Sequence, residues 1–239
     1  MLRAISDRLL SLAFPQECQG CSGTVGRYAD GVACDDCWTD TKLFSGNEML
    51  CSKCGAFFSD AAAPVAVYCH KCDGHAYDRA FALGVYEKAL SASILYLKST
   101  PHVPSRLRKL IENRARDLDS DLIIPAPLSK MRRLERGFNQ AALIARIVGK
   151  VARIPVDDLS LQRKKHTPIH RVGMDQRARE LTVEKAFEVA RPKLIEGRSV
   201  ILVDDVLTSG STASACAKVL KKNGASRVEV FTIARAVMH

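Results

Sequence analysis

Residues 201–212 read ILVDDVLTSGST, and this stretch decides the fold. The segment 199–203 is almost entirely apolar, which is typical of a strand buried on both faces of a parallel sheet. Two adjacent carboxylates, Asp204 and Asp205, come directly after it, and small hydroxylated residues around a glycine follow. The pattern therefore predicts a core strand that ends in two negative charges and continues into a loop that approaches a ligand closely.

The loop in this stretch is suited to binding an anion. We expect a helix to begin near Thr212, and its unpaired amide groups and dipole attract negative charge. In an open parallel sheet, ligands bind beyond the carboxyl ends of the strands. The two upstream carboxylates accept hydrogen bonds from vicinal hydroxyls, and a phosphate beside a cis-diol is the chemistry of a ribose 5-phosphate. The residues expected to hold the phosphate are Thr208, Ser209, Gly210, Ser211 and Thr212.

Three other interpretations of the stretch explain less of it. A nucleoside-triphosphate P-loop needs GxxxxGK[ST], and no lysine follows Gly210. A dinucleotide-binding fold needs GxGxxG after its first strand, and that motif is absent. Asp204 and Asp205 could instead cap a helix, but a cap explains one aspartate and leaves the second at the end of an apolar strand.

Eight of the nine cysteines form CxxC pairs between residues 18 and 72. Two such turns complete a tetrahedral all-sulfur site for zinc, and a site closed by four cysteines is structural. We predict two zinc sites, the first four cysteines forming one and the second four the other, although an interleaved pairing stays open. Disulfides are the alternative, and a cytosolic chain argues against them. The expected ligands are Cys18, Cys21, Cys34, Cys37, Cys51, Cys54, Cys69 and Cys72.

From about residue 78 onward, strand-like and helical segments alternate, which predicts an α/β domain. The N-terminal part, residues 1–77, is predicted to contain a helix and a double zinc ribbon, and residues 78–239 the α/β domain. The helix places Leu2, Ile5, Leu9 and Leu12 on one side. Further along, the predicted strands are 79–86, 121–127, 199–203 and 227–235, and the predicted helices are 87–98, 138–153 and one that ends at 222–224.

Composition and charge limit where the protein acts and what it binds. No apolar run reaches the roughly 20 residues that would span a bilayer. The opening segment carries charges inside its apolar run, which does not fit a secretory signal, so we expect a cytoplasmic protein. The net charge of +10 favours anionic partners: phosphorylated metabolites, nucleic acid or both.

The sequence resembles a known family over nearly its whole length. VILVDDVLTSGST closely resembles the phosphoribosyl-pyrophosphate motif of type I phosphoribosyltransferases. The cysteine pairs, LYLK at 95–98 and IIPAPLSKMRRLERGFNQA at 123–141 are similar to the competence protein F (ComF) family, and the arginine-rich RRLERGFNQ is the most family-specific of these motifs. The resemblance implies a type I phosphoribosyltransferase-like parallel sheet flanked by helices, preceded by the double zinc ribbon, with residues 78–239 as the phosphoribosyltransferase-like domain.

The resemblance also implies roles for individual residues. Asp204 and Asp205 would hold the ribose hydroxyls, and 208–212 the 5-phosphate, with Mg²⁺ accompanying phosphoribosyl pyrophosphate. One departure is Thr208, which stands where purine-salvage relatives carry an aspartate, so no general base is visible. A polar segment, 164–180, is expected to be a loop that closes over the site, with His166 and His170 as acid or base candidates. The residues expected near the pyrophosphate are Lys98, Arg132, Arg133 and Arg136.

The motifs and the resemblance lead to two hypotheses about function. The first is phosphoribosyl transfer from phosphoribosyl pyrophosphate to an unidentified acceptor. The second is a non-catalytic, nucleic-acid-handling role in DNA uptake, which the family's competence association, the zinc ribbons and the charge favour. Its partners would be single-stranded DNA and a competence helicase-type protein or a second copy of the chain. Phe57, Phe58 and Tyr68 are its candidate stacking residues, although an aromatic content of 6% argues against it.

Overall fold

The computed structural model describes residues 14–27, 30–60, 66–164 and 186–237. The predicted N-terminal helix, His166, His170 and most of the loop 164–180 lie outside these residues. The described helices are α1 (Asp35–Thr39), α2 (Lys88–Leu97), α3 (Ser105–Ala115), α4 (Lys130–Arg136), α5 (Gln140–Ala152) and α6 (Ser211–Lys222). The described strands are β1 (Met49–Leu50), β2 (Phe57–Ser59), β3 (Arg79–Val85), β4 (Leu122–Pro125), β5 (Leu161–Arg163), β6 (Phe187–Val189), β7 (Ser199–Leu207) and β8 (Arg227–Arg235).

Four parallel strands form the central sheet in the order β3-β8-β7-β4. β7 is longer than the predicted strand 199–203. It continues through both aspartates, and Asp204 and Leu207 pair with Thr232 and Arg235 of β8. Backbone pairing does not depend on side-chain polarity, so two charged residues do not end a strand whose neighbour runs on beside them. The carboxylates therefore lie within the last part of the strand.

The core has two layers, one on each face of the sheet. Ile201 and Val203 pack into the first layer with α2, α3 and α5. Val200 and Leu202 pack into the second with α6. Successive side chains of a strand point to opposite faces, so one strand contributes to both layers. This arrangement places the carboxyl end of β7 between the helices of the two faces.

Most of the predicted elements are confirmed within a residue or two at each end. The helices α3 and α4 and the antiparallel strand pairs β1–β2 and β5–β6 were not among the predicted elements. They are short, or rich in charge, so apolar periodicity does not reveal them. In the described part of the chain, no helix has the length and apolar character needed to cross a membrane.

Candidate functional site

Asp205 is the centre of a polar network at the carboxyl end of β7. Its side chain accepts a hydrogen bond from Gln140 Nε2 at 3.2 Å and lies 3.7 Å from Lys98 Nζ. Arg136 in turn donates to Gln140 Oε1 at 3.0 Å. The residue is only 9% exposed, so these partners compensate a buried charge. The network brings two predicted pyrophosphate residues, Lys98 and Arg136, to the carboxylate pair.

The structure argues against a helix-capping role for the aspartates. Helix α6 has Gly210 at its N-cap, and no side chain caps it. The carboxylates instead accept hydrogen bonds within their own strand: Asp204 from the amide of Asp205 at 2.9 Å, and Asp205 from the amide of Val206 at 2.8 Å. Neither aspartate therefore caps helix α6.

The two carboxylates differ in their electrostatic environment. Burial and then the charge of Asp205 raise the pKa of Asp204 to about 8, although the amide of Asp205 and the charge of Lys98 act in the opposite direction. When two neighbouring carboxylates share few hydrogen-bond donors, ionisation of the second one is unfavourable. Hydroxyl donors or a cation at this position would relieve that cost. Such perturbed acids are often found at binding sites.

Only one of the three predicted arginines reaches the site. α4 begins after Ser129, whose side chain accepts from the amide of Arg132 at 3.3 Å, and ends at Gly137, where φ is +74°. Arg132 and Arg133 are exposed on this helix, and within the described residues neither is in an ion pair. The GFNQ segment that follows α4 is held by a side chain: Asn139 donates to the carbonyl of Ala126 at 3.0 Å and accepts from the amide of Ala141.

The predicted phosphate loop joins β7 to α6. Gly210 has φ +81°, a conformation that favours glycine, and the first turn of the helix has no acidic residue. Ser209 Oγ and Ser211 Oγ are 2.9 Å apart and hydrogen-bonded. Amide groups and hydroxyls thus converge at the N-terminus of a 12-residue helix, where an anion is stabilised.

The segment that follows the last paired cysteine packs directly on this loop. A Cβ at Gly210 would lie 2.5 Å from His75 Cε1 and 3.0 Å from the hydroxyl of Tyr77. The amide of Ala76 donates to Ser214 Oγ in α6 at 3.0 Å. His75 is not among the clustered sulfur ligands, and the structure places it against the loop.

The eight paired cysteines form two clusters in the predicted grouping, the first four together and the second four together. Within each cluster the sulfur atoms lie within 4.8 Å of one another, and all eight cysteines are free. A Zn–S bond of about 2.3 Å in a tetrahedron places sulfurs about 3.8 Å apart, whereas a disulfide needs about 2.05 Å. Cys18 Sγ and Cys37 Sγ are 3.6 Å apart, and Cys51 Sγ and Cys72 Sγ are 3.8 Å apart. The geometry therefore fits zinc.

The first cysteine of each cluster is prepared to ionise. Burial alone would raise the pKa of Cys18, but amide donors, first that of Cys34, lower it to about 6. Burial also opposes ionisation of Cys51, and amide donors led by Cys54 lower its pKa to about 7. A thiolate is the form that ligates a metal. Each cluster therefore contains one cysteine that readily forms the thiolate needed to bind a metal.

A separate cleft of about 480 Å³ runs along the outer edge of β3. Phe44, Arg79, Phe81 and Arg114 contribute to its walls, and both arginines lie over the ring of Phe81. The cleft borders the amino-terminal half of β3, whereas the carboxylates and the loop lie at the carboxyl ends of the strands. It is therefore not part of the site described above.

Comparison with known proteins identifies the family. The chain is 30% identical over 235 residues to competence protein F of Haemophilus influenzae, which covers 93% of this chain and 98% of that protein. The chain belongs to the competence protein F family. This chain is also similar to the DNA utilization protein YhgH of Escherichia coli, with 28% identity over 80% of this chain and 86% of that protein. It is 32% identical to competence protein ComFC of Bacillus subtilis over 48% of this chain and 45% of that protein.

Two family models match separate parts of this chain. A double zinc ribbon domain matches residues 9–73, and a phosphoribosyl transferase domain matches residues 134–237. The first contains all eight clustered cysteines, and the second contains the carboxylates and the loop 208–212. The predicted fold class is confirmed: a type I phosphoribosyltransferase-like sheet with a double zinc ribbon before it. The division at residues 77 and 78 stays a prediction.

Proposed function

We propose that the protein binds phosphoribosyl pyrophosphate at the carboxyl end of β7 and transfers its phosphoribosyl group to an acceptor. The observation that carries the proposal is the arrangement around Asp205. The carboxylate pair directly precedes the loop 208–212, and the Lys98 cation and the Arg136–Gln140 pair lie beside Asp205. A ligand with a 5-phosphate, a cis-diol and a pyrophosphate matches this order of groups.

Each part of the site would act on one part of this ligand. Residues 208–212 would hold the 5-phosphate through amides and hydroxyls, and Asp204 and Asp205 would accept hydrogen bonds from the ribose hydroxyls. Lys98 and Arg136 would stabilise the pyrophosphate as it leaves, with Arg132 and Arg133 available on the exposed face of α4. Mg²⁺, bound with the ligand, would neutralise part of the same charge. Thr208 has no basic group and supplies no general base to deprotonate an acceptor, so the proposal names no acceptor.

The experiment that tests this function is calorimetric titration with phosphoribosyl pyrophosphate and Mg²⁺. Asp205→Asn keeps the shape of the side chain but removes charge-assisted acceptance. A hydrogen bond to a charged group contributes about 1.5–3 kcal/mol, so we expect affinity to fall roughly 10- to 100-fold. Asp121→Asn is the matched control, because Asp121 bonds Ser199 at the opposite end of β7. Equal affinity in wild type and Asp205→Asn would contradict the ribose assignment.

We propose zinc as the metal of both cysteine clusters. Four convergent sulfurs in each cluster and amide donors to Cys18 and Cys51 support this choice. The metal would be structural, since a fourth sulfur leaves no open position for a substrate. Metal analysis of the purified chain should find two zinc ions per chain, and a content near zero would refute the assignment.

Two exposed aromatic residues on the second ribbon favour a second candidate function, the handling of single-stranded DNA. Phe58 is 45% exposed and Tyr68 is 44% exposed, with the exposed His70 edge-on to the Tyr68 ring. Phe57, by contrast, is half-buried and its ring is stacked on Phe44 with the centroids 6.1 Å apart, so internal packing rather than base stacking explains it. Base stacking is worth about 1–3 kcal/mol per base. Binding of an oligothymidylate should weaken in the Phe58→Ala, Tyr68→Ala double variant but not in Asp205→Asn.

A further inference from the structure

Arg235 is a buried cation at the end of β8 that joins the second cysteine cluster to the phosphate loop. It is 2% exposed, and no carboxylate partner of it lies in the described part of the chain. Its Nε donates to the carbonyl of Cys54 at 3.1 Å, and one terminal nitrogen lies 3.8 Å from Cys54 Sγ. The other terminal nitrogen donates to the carbonyl of Leu207 at 2.8 Å and to that of Thr208.

The charge of Arg235 needs compensation because a buried, unpaired guanidinium is costly. Carbonyl oxygens supply dipoles, and the nearby sulfur of Cys54 supplies a charge when the cluster is loaded, since four thiolates around one divalent ion are net negative. The same guanidinium holds the carbonyls of Leu207 and Thr208, the residues at which β7 ends and the loop begins. Loss of metal would therefore weaken the hold on the loop.

A second set of contacts joins the same two features. His75 and Tyr77 pack against Gly210, and their polar atoms, His75 Nδ1 and the Tyr77 hydroxyl, are hydrogen-bonded at 2.6 Å. The chain reaches this position directly after Cys72. By contrast, the first cluster's ribbon is attached elsewhere: Asp35 pairs with Arg106 of α3, and Asp40 pairs with Lys88 of α2.

We propose that Arg235 is a positioning residue that couples the metal of Cys51, Cys54, Cys69 and Cys72 to phosphate binding at 208–212. Metal in the second cluster and an anion at the loop then stabilise each other, and the coupling must be equal in both directions. The first cluster takes no part. This inference rests on the proposed function for its ligand, since the loop is taken to hold the 5-phosphate of phosphoribosyl pyrophosphate.

The test is the zinc affinity of the full chain, measured by competition with a chelator, with and without Mg²⁺ and phosphoribosyl pyrophosphate. Allosteric couplings are typically 5- to 150-fold, so one of the two zinc ions should bind about 5- to 150-fold more tightly with the ligand present. Arg235→Lys should lose most of this effect. Arg227→Lys, at the opposite and exposed end of β8, is the matched control and should keep it. Ligand binding without any change in zinc affinity, or full coupling in Arg235→Lys, would overturn the proposal.

A measurement without ligand separates this proposal from the proposed function. Hydrogen exchange of amides 207–214 should be faster in Cys51→Ser than in wild type. It should rise much less in Cys21→Ser, which removes an exposed ligand of the first cluster. Unchanged exchange in Cys51→Ser would overturn the coupling. If exchange responds as expected but phosphoribosyl pyrophosphate does not bind the wild-type protein, the coupling holds and the proposed function fails.

Discussion

At the scale of single residues, the two aspartates of β7 differ in how well their charge is compensated. Asp205 has Gln140 and Lys98 beside it, while Asp204 accepts from one neighbouring amide and faces the charge of Asp205. The free protein therefore keeps a proton on Asp204 more readily than an ordinary aspartate does. A ligand that donates hydroxyl hydrogens to this carboxylate would favour its charged form.

The raised pKa of Asp204 gives stability a defined pH dependence. A carboxyl whose pKa rises on folding contributes stability below its unfolded pKa, and loses it as pH rises through the folded value of about 8. Asp204→Asn should therefore melt higher than wild type, with a difference that grows from pH 5 to pH 9. Each 1 kcal/mol of relief shifts the melting temperature by about 2–4 °C in a chain of this size.

Thermal melts of both proteins across that pH range are the measurement. Asp121→Asn provides a control of opposite sign, because hydrogen bonds from Ser199 lower the pKa of Asp121. Its charged form adds stability above the unfolded pKa, so the substitution should destabilise at neutral pH and not in acid. A difference for Asp204→Asn that stays flat with pH would show that its carboxyl is not perturbed.

At the scale of elements, the strand–loop–helix unit could be predicted because its residues are contiguous. The apolar strand, the carboxylates and the hydroxyl-rich loop lie within 201–212, so a local pattern identifies them. Gln140, His75 and Arg235 reach the unit from elsewhere. Gln140 is 65 positions from Asp205, and Arg235 is 181 positions from Cys54, and no periodicity encodes such contacts. Gln140 at least stands in the family-specific RRLERGFNQ motif; the other two carry no comparable signal.

The close packing of the loop against the second ribbon predicts a large effect for Gly210→Ala. Its φ of +81° strains any side chain by roughly 1–2 kcal/mol, and the new methyl group would meet His75 at 2.5 Å. Overpacking adds about 1–3 kcal/mol. Gly197→Ala is the matched control, since φ is +73° there and nothing lies within 4 Å of the added carbon. Urea unfolding should show a larger loss for Gly210→Ala, and equal losses would contradict the packing argument.

At the scale of the whole molecule, each zinc ribbon belongs to one of the two core layers. Cys18, Cys34 and Trp38 pack in the same apolar cluster as Ile201. Cys51, Cys54 and Cys72 pack in the cluster of Leu202 on the other face. The predicted division into residues 1–77 and 78–239 separates two kinds of chemistry. The shared apolar layers connect them physically, since the core on each face of the sheet includes cysteine side chains of one ribbon.

This sharing predicts one cooperative unfolding transition for the zinc-loaded chain. When two parts share a core, neither can unfold without exposing the apolar surface of the other. Scanning calorimetry should give a single peak whose calorimetric and van't Hoff enthalpies agree. The fragment 78–239 lacks the cysteine side of both layers, so it should melt at a lower temperature and bind a dye specific for exposed apolar surface. Two resolved peaks, or a fragment as stable as the full chain, would mean that the ribbons are attached to the sheet without supporting it.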